Sequence, residues 1–290
     1  MRPSERIGLV ALLILSLLLA ALRPAGAGRI LLLLAITAAA AALAVRRGRR
    51  GGLLGRVRDA MPYAVMVVLF THLQPAIEAL NAARYDALLA ELDRRWFGEL
   101  VPAWRGALGR PGPFTDGVYV VYVSFYLLPV VVLLAARTWR GREVMERASF
   151  TVLLGFYLSF VGYFLWPTLG PRLPASQEAT LGGAAVSQAV RAFLRASEGN
   201  SLDAFPSGHA GLSLLTAYLG SRIFPRAAVP LFAWSGGVIF ATVYVHVHYA
   251  VDLVAGLLLT IVALALAAPA RRLLGGGGPA PKPSPPRTAF

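Results

Sequence analysis

Three short polar islands interrupt the apolar C-terminal half of the chain, and their residue types suit phosphoryl chemistry. They are Pro167-Thr168-Leu169-Gly170-Pro171-Arg172, then Phe205-Pro206-Ser207-Gly208-His209, then His248-Tyr249 with Asp252. His248 and Asp252 stand four residues apart, so on a helix they share one face. A carboxylate bonded to one imidazole nitrogen fixes the tautomer and makes the other nitrogen more nucleophilic. An imidazole prepared in this way can attack phosphorus and form a covalent phosphoenzyme. Ser207 is a good N-cap, and the free amides of the following turn, aided by the helix dipole, attract an anion such as phosphate. His209, in that first turn, can give a proton to the leaving oxygen. Arg172 supplies a permanent fork-shaped cation matched to phosphate oxygens.

Each piece also has a plain structural reading: a capped membrane helix, a His–Asp pair closing a helix junction, an interfacial arginine anchor. Taken together they form the set that phosphoryl transfer requires, which is mainly to position the group and stabilise its charge. His246-Val247-His248 with Asp252 invites a metal reading, but a helical context turns positions 246 and 248 away from each other. No metal and no cofactor are expected, and His246 is read as a structural or pocket-wall residue. His72 has no motif around it and is left unassigned.

The elements that carry these islands are read as membrane helices. Of the 290 residues, 57% are hydrophobic and 14% charged, against roughly a quarter charged in a soluble domain. The apolar residues come in blocks approaching the ~20 residues needed to cross a bilayer. Eight spans are expected, near 7–22, 30–45, 60–79, 117–136, 149–166, 209–224, 228–246 and 251–269. This gives an all-α, polytopic membrane bundle. There are no cysteines, which excludes disulfides, thiolate chemistry and Cys-based metal centres. The formal charge of +14 could suggest nucleic acid, but the basic residues sit between apolar blocks, where orientation signals belong, so no nucleic-acid partner is expected. With both termini in the cytoplasm, 18 of the 28 Lys and Arg fall on inside segments. The positive-inside rule favours that orientation, with the polar islands on the extracytoplasmic side; the plasma (inner) membrane is the expected location.

Arg2, Arg6, the first apolar run and Ala25-Gly26-Ala27 also resemble a cleavable signal peptide; the topology after it is the same either way. Between 82 and 106, Tyr85, Leu88, Leu89, Leu92, Trp96 and Leu100 recur at helical spacing, while Asp86, Asp93, Arg94 and Glu99 take other faces. Such a helix suits the outer interface, with Trp96 and Trp104 at headgroup depth, or an amphipathic cap on the bundle. The domain layout expected is an N-terminal hairpin with a basic loop (1–59), a catalytic membrane domain (60–270) and a disordered cytoplasmic tail (271–290) rich in Gly, Pro and Ser.

At these residues the sequence resembles the type 2 phosphatidic acid phosphatase superfamily, over roughly 149–270. The ordered combination of Arg172, Pro206–His209 and His248-xxx-Asp252 carries the likeness. It implies a six-helix core, no metal, His248 as nucleophile oriented by Asp252, His209 as the acid for the leaving group, and phosphate held by Arg172 and the Ser207-Gly208 backbone. Two departures stand out: Leu165 where the family has a lysine, and Thr242 where it has an arginine. The runs Thr242-Val243-Tyr244, His248-Tyr249 and Asp252, with Asp86, Asp93 and Phe97-Gly98, are instead similar to the inositol phosphorylceramide synthase-like branch. That likeness implies transfer of a phosphoryl-headgroup between lipids. Hydrolysis of a lipid phosphate or isoprenoid diphosphate, with water as acceptor, is the alternative. The expected partners are a phospholipid, sphingolipid or isoprenoid phosphate and the bilayer itself. The 173–204 loop, with Glu178, Arg191, Arg195 and Asp203, is where a second headgroup could be held. A lipid transporter or flippase would place polar residues at mid-bilayer depth, often in repeated halves; the sequence has neither.

Overall fold

In hydrocarbon every backbone N–H and C=O must be satisfied within its own segment, so apolar blocks of this length become helices. The computed structural model describes residues 1–48, 51–108, 112–172, 182–197 and 200–275. Glu178, the side chains of Trp104 and Arg195, and the tail from 276 onward lie outside the described residues. Within them the chain is helical, with no strand. Five helices are long and apolar enough to cross a membrane: α1 (Pro3–Leu22), α2 (Ala27–Arg47), α9 (Arg142–Leu165), α12 (Ala228–Tyr244, with the 3₁₀ turn before it) and α13 (Ala250–Leu273). The protein is a multi-pass membrane protein.

Two of the expected spans are bent. The third consists of α3 (Gly52–Thr71) and α4 (Gln74–Leu80), at 50° to each other. The fourth consists of α7 (Gly112–Val123), a 3₁₀ turn, and α8 (Leu128–Trp139), with a 48° bend. Both breaks precede a proline at the second position of the new helix, Pro75 and Pro129. Proline has no N–H to donate and its ring clashes with the carbonyl four residues back, so the earlier helix ends there. The sixth expected span, α11 (Gly208–Ile223), has only 16 residues, about 24 Å at 1.5 Å per residue, and falls outside the five to seven candidate spans among the described residues. Between the spans lie α5 (Asp86–Phe97), α6 (Leu100–Leu108) and α10 (Ala185–Ser197).

The core forms around α9, which packs against α1, α3, α8, α11 and α13. Its Phe150, Leu153 and Ser159 are fully buried. The α1–α2 hairpin joins this core through Leu12, Leu15, Leu19 and Leu34. α11 lies between α12 and α13, so the polar islands at its start and at the α12–α13 junction are neighbours by construction. The other end of the bundle carries a largely buried ionic cluster. Asp59 meets Arg2 at 2.5 Å and Arg137 at 3.0 Å, Glu5 meets Arg58 at 2.5 Å, and Glu146 accepts from the Ser4 hydroxyl at 2.7 Å.

Candidate active site

The second island caps α11. Ser207 is the N-cap, and its Oγ accepts from the Ala210 amide at 3.2 Å. His209 is therefore the second residue of the helix. The backbone N–H of Ser207 donates to the carbonyl of Asp252 at 3.1 Å, which ties the start of α11 to the start of α13.

The third island differs from the single helical face expected for His248 and Asp252. α12 ends at Tyr244, the chain turns through His246 in the left-handed region (φ 60°), and His248 precedes α13 outside regular secondary structure. Tyr249 is the N-cap of α13 and donates its N–H to Asp252 Oδ2 at 2.9 Å. This cap turns the carboxylate back toward the imidazole. His248 Nδ1 lies 3.4 Å from Asp252 Oδ2, long for a hydrogen bond. Both side chains are buried, with His248 at 1% and Asp252 at 0% exposure. The carbonyl of Thr242 holds the turn, accepting from Val247 N–H at 3.0 Å and His248 N–H at 3.3 Å.

The first island closes over the other two. The Thr168 carbonyl accepts from the Ala204 amide at 3.1 Å. Gly170 (φ +80°) lies so close to the Val247 carbonyl that there is no room for a Cβ between them. Arg172 donates through one terminal nitrogen to Asp203 Oδ1 at 2.9 Å, and its charge lies within electrostatic range of His209.

The two histidines meet directly, His209 Nδ1 lying 3.2 Å from His248 Nε2. The rings of Phe125 and Tyr122, at the bend between α7 and α8, flank His209 at 4.5 and 4.9 Å. Three buried atoms of the histidine–aspartate cluster, His209 Nε2, His248 Nδ1 and Asp252 Oδ1, have no hydrogen-bond partner among the described residues. Buried polar atoms rarely stay so, and an unmet one costs roughly 1–3 kcal/mol. An apolar cavity of about 340 Å³ runs from Phe70 and Phe160 to Gly208, His209 and Asp203. Among the described residues no three His, Asp or Glu side chains are grouped to hold a metal ion.

A family model described as the PAP2 superfamily matches residues 87–266. The chain belongs to the PAP2 superfamily. Neither a curated protein nor a solved structure matches it. Membership identifies a phosphatase or phosphotransferase acting on lipid-type substrates, and all three polar islands fall within the matched region.

The structure thus brings together Arg172, Ser207, Gly208, His209, His248 and Asp252. Leu165, where the resemblance calls for a lysine, is half-exposed at the end of α9, and Thr242 is fully buried. Residues outside the expected catalytic and phosphate-binding set also gather at the site. Tyr122 and Phe125 pack on His209 without any local motif, and Asp203, placed only in a headgroup loop, pairs with Arg172. Arg191 stacks over Tyr119 with its guanidinium 5.1 Å from the ring centroid.

Proposed function

We propose that this PAP2 superfamily protein is a membrane enzyme that transfers a phosphoryl-headgroup from a phospholipid to an alcohol through a phosphohistidine on His248. The single observation that carries the reading is the run of contacts Asp252–His248–His209, its first two side chains buried, with separations of 3.4 and 3.2 Å. With Asp252 facing Nδ1, the proton of neutral His248 belongs on that nitrogen. Nε2 then keeps its lone pair, which accepts the Nδ1–H of His209 in the resting arrangement.

A phosphorus atom does not fit within a 3.2 Å N···N contact, so substrate entry parts the two rings. His248 Nε2 then attacks phosphorus, the N–P bond forms and the bond from phosphorus to the lipid oxygen breaks. His209, protonated once the anionic phosphate group is in place, gives its Nδ1 proton to that oxygen and is left neutral. In the second half neutral His209 takes the proton of the acceptor hydroxyl as its oxygen attacks phosphorus, and the N–P bond breaks. Arg172 and the amides of Gly208 and His209, which precede the first intrahelical bond, stabilise the charge on the equatorial oxygens. The apolar cavity beside His209 suits a hydrocarbon chain.

Headgroup transfer is favoured over hydrolysis of a monoester. A phosphomonoester carries a charge of about −1.5 to −2 at neutral pH, whereas a phosphodiester carries −1. Leucine at 165 and threonine at 242 remove two cations, which leaves a site whose positive charge suits the diester better. The resemblance to the inositol phosphorylceramide synthase-like branch supports the same choice. We place the site on the extracytoplasmic side, with residues 60–270 as the catalytic domain, because the arginine-rich segments gather at the opposite end of the bundle.

The test is a panel assay on purified protein, with headgroup-labelled phospholipids, phosphatidate and isoprenoid diphosphate, each with and without ceramide or diacylglycerol as acceptor. Label moving to the acceptor lipid supports transfer. Free phosphate released at equal rates with and without acceptor would replace it by hydrolysis.

A further inference from the structure

α5 is amphipathic in an unexpected sense. Leu88 and Trp96 are exposed and Leu89 is buried, while two of its three acidic residues, Asp86 and Asp93, turn toward the bundle. They stand seven residues apart, two turns of one helix face. Asp86 Oδ1 accepts from the amides of Leu169 and Gly170 at 3.0 and 2.9 Å, in the segment that leads to Arg172. Asp93 Oδ1 accepts from the amide of Val251 at 2.9 Å, one residue before Asp252 and three after His248. The chain leading into α5 follows the same track. Asn81 donates its side-chain amide to the carbonyls of Phe164 and Leu165, both at 3.1 Å, and the Tyr85 amide donates to the Pro167 carbonyl at 3.2 Å.

A carboxylate next to a phosphate site repels the substrate unless it is engaged elsewhere. Here Asp86 accepts from two backbone amides and Asp93 from one, and Asp93 lies at the positive end of α13, where a negative charge is favoured. Hydrogen bonds to an ionised acceptor are among the stronger ones in a protein. The two bonds hold two different functional elements from one helix, the Arg172 loop through Asp86 and the His248–Asp252 cap through Asp93.

We infer that Asp86 and Asp93 are positioning residues with separable effects, Asp86 acting on phosphate binding through Arg172 and Asp93 acting on the chemical step through His248. The inference rests on the site proposed above. It extends that reading to a helix at the edge of the bundle, whose exposed Leu88 and Trp96 are suited to the lipid interface.

The experiment uses full-length protein in nanodiscs with bis(p-nitrophenyl) phosphate, an activated phosphodiester, as substrate and inorganic phosphate as competing anion. Asp86→Ala raises KM and the phosphate inhibition constant roughly tenfold, with kcat within about threefold of wild type. Asp93→Ala lowers kcat roughly ten- to a hundredfold, as displacement of a reacting group by about 1 Å does, and leaves phosphate inhibition unchanged. Asparagine at either position keeps an acceptor oxygen and recovers most of the loss. Hydrogen–deuterium exchange rises at 169–170 only in Asp86→Ala and at 251 only in Asp93→Ala. Glu91→Ala, on the same helix and bonded to the exposed Arg94, changes none of these. Wild-type kinetics in both alanine variants would overturn the inference. So would parallel losses in kcat and KM that follow a lower melting temperature and are not recovered by asparagine. Arg172→Lys and His248→Ala run alongside: if they too turn over at the wild-type rate, the proposed site falls; if they are impaired while the Asp variants are normal, only the bracing role is wrong.

Discussion

Gly256→Ala tests how closely the two halves of the site are held together. Below the polar islands α11 and α13 touch through glycines. A Cβ on Gly256 would lie 2.6 Å from the Ser207 carbonyl oxygen, 3.0 Å from the Gly211 amide nitrogen and 3.1 Å from Ala210 Cβ. These are backbone atoms and a Cβ, so no flexible side-chain end is available to yield. Ordinary contacts of this kind lie near 3.5 Å or beyond, so the helices must part by roughly 0.8 Å. That movement breaks the 3.1 Å bond from Ser207 N–H to the Asp252 carbonyl and lengthens the 3.2 Å contact between His209 and His248. Overpacking of a close interface costs about 1–3 kcal/mol, and alanine returns about 1 kcal/mol of helix propensity. The net loss of stability is therefore modest, about 2 kcal/mol at most by that difference. A reacting group displaced by about 1 Å loses roughly a hundredfold in rate. Turnover of headgroup-labelled lipid should thus fall far more than the melting temperature in detergent. Gly236→Ala on α12, where a Cβ meets nothing within 4 Å, should leave both unchanged or raise stability slightly. Gly256→Ala with wild-type turnover and an unchanged or higher melting temperature would refute the close α11–α13 contact and the geometry built on it.

Asp252→Asn keeps an oxygen to cap the Tyr249 amide but disfavours the reactive tautomer of His248. It should lose about four powers of ten in kcat while melting within a few degrees of wild type, as seen by turnover and thermal unfolding; a loss of less than tenfold would contradict the role given to this pair. Arg172→Lys keeps the charge beside Asp203 but loses the two-pronged contact, and should raise KM by about ten- to a hundredfold; an unchanged KM would remove Arg172 from phosphate binding. The chain has no cysteine, so single cysteines report topology. Glu91→Cys should react with a membrane-impermeant maleimide in intact cells and Glu143→Cys only after permeabilisation; the reverse pattern would place the site in the cytoplasm.

What was legible in the sequence follows from the range of the interactions. The apolar blocks announce helices because hydrocarbon leaves no other way to satisfy the backbone, and the Ser207 cap is readable because it is settled within four residues. Pro75 and Pro129 mark both bent spans, but a hydropathy window averages across them. The partners His248 and Asp252 were identifiable, whereas their geometry was not. The turn at His246 and the bonds to the Thr242 carbonyl come from the way α12 ends, so the pair meets through a helix cap rather than along a helix face. α10 was hidden in what reads as a loop, because part of its start is held from a distance: Asp116 of α7 accepts from the Ala184 and Ser187 amides at 2.8 and 2.9 Å. The pairing of Arg172 with Asp203, the rings on His209 and the inward turn of Asp86 and Asp93 are likewise tertiary, and no local pattern encodes them.

The central claim is that phosphorus becomes bonded to His248. Purified protein is mixed with headgroup phospholipid labelled at phosphorus, quenched within a turnover under alkaline denaturing conditions that preserve phosphohistidine, and digested for peptide mapping. The account predicts acid-labile label on the peptide containing His248, chased into product by acceptor lipid, and absent from His248→Ala. Wild-type protein that turns the lipid over without label at His248, or a His248→Ala variant that turns it over at the wild-type rate, would contradict it.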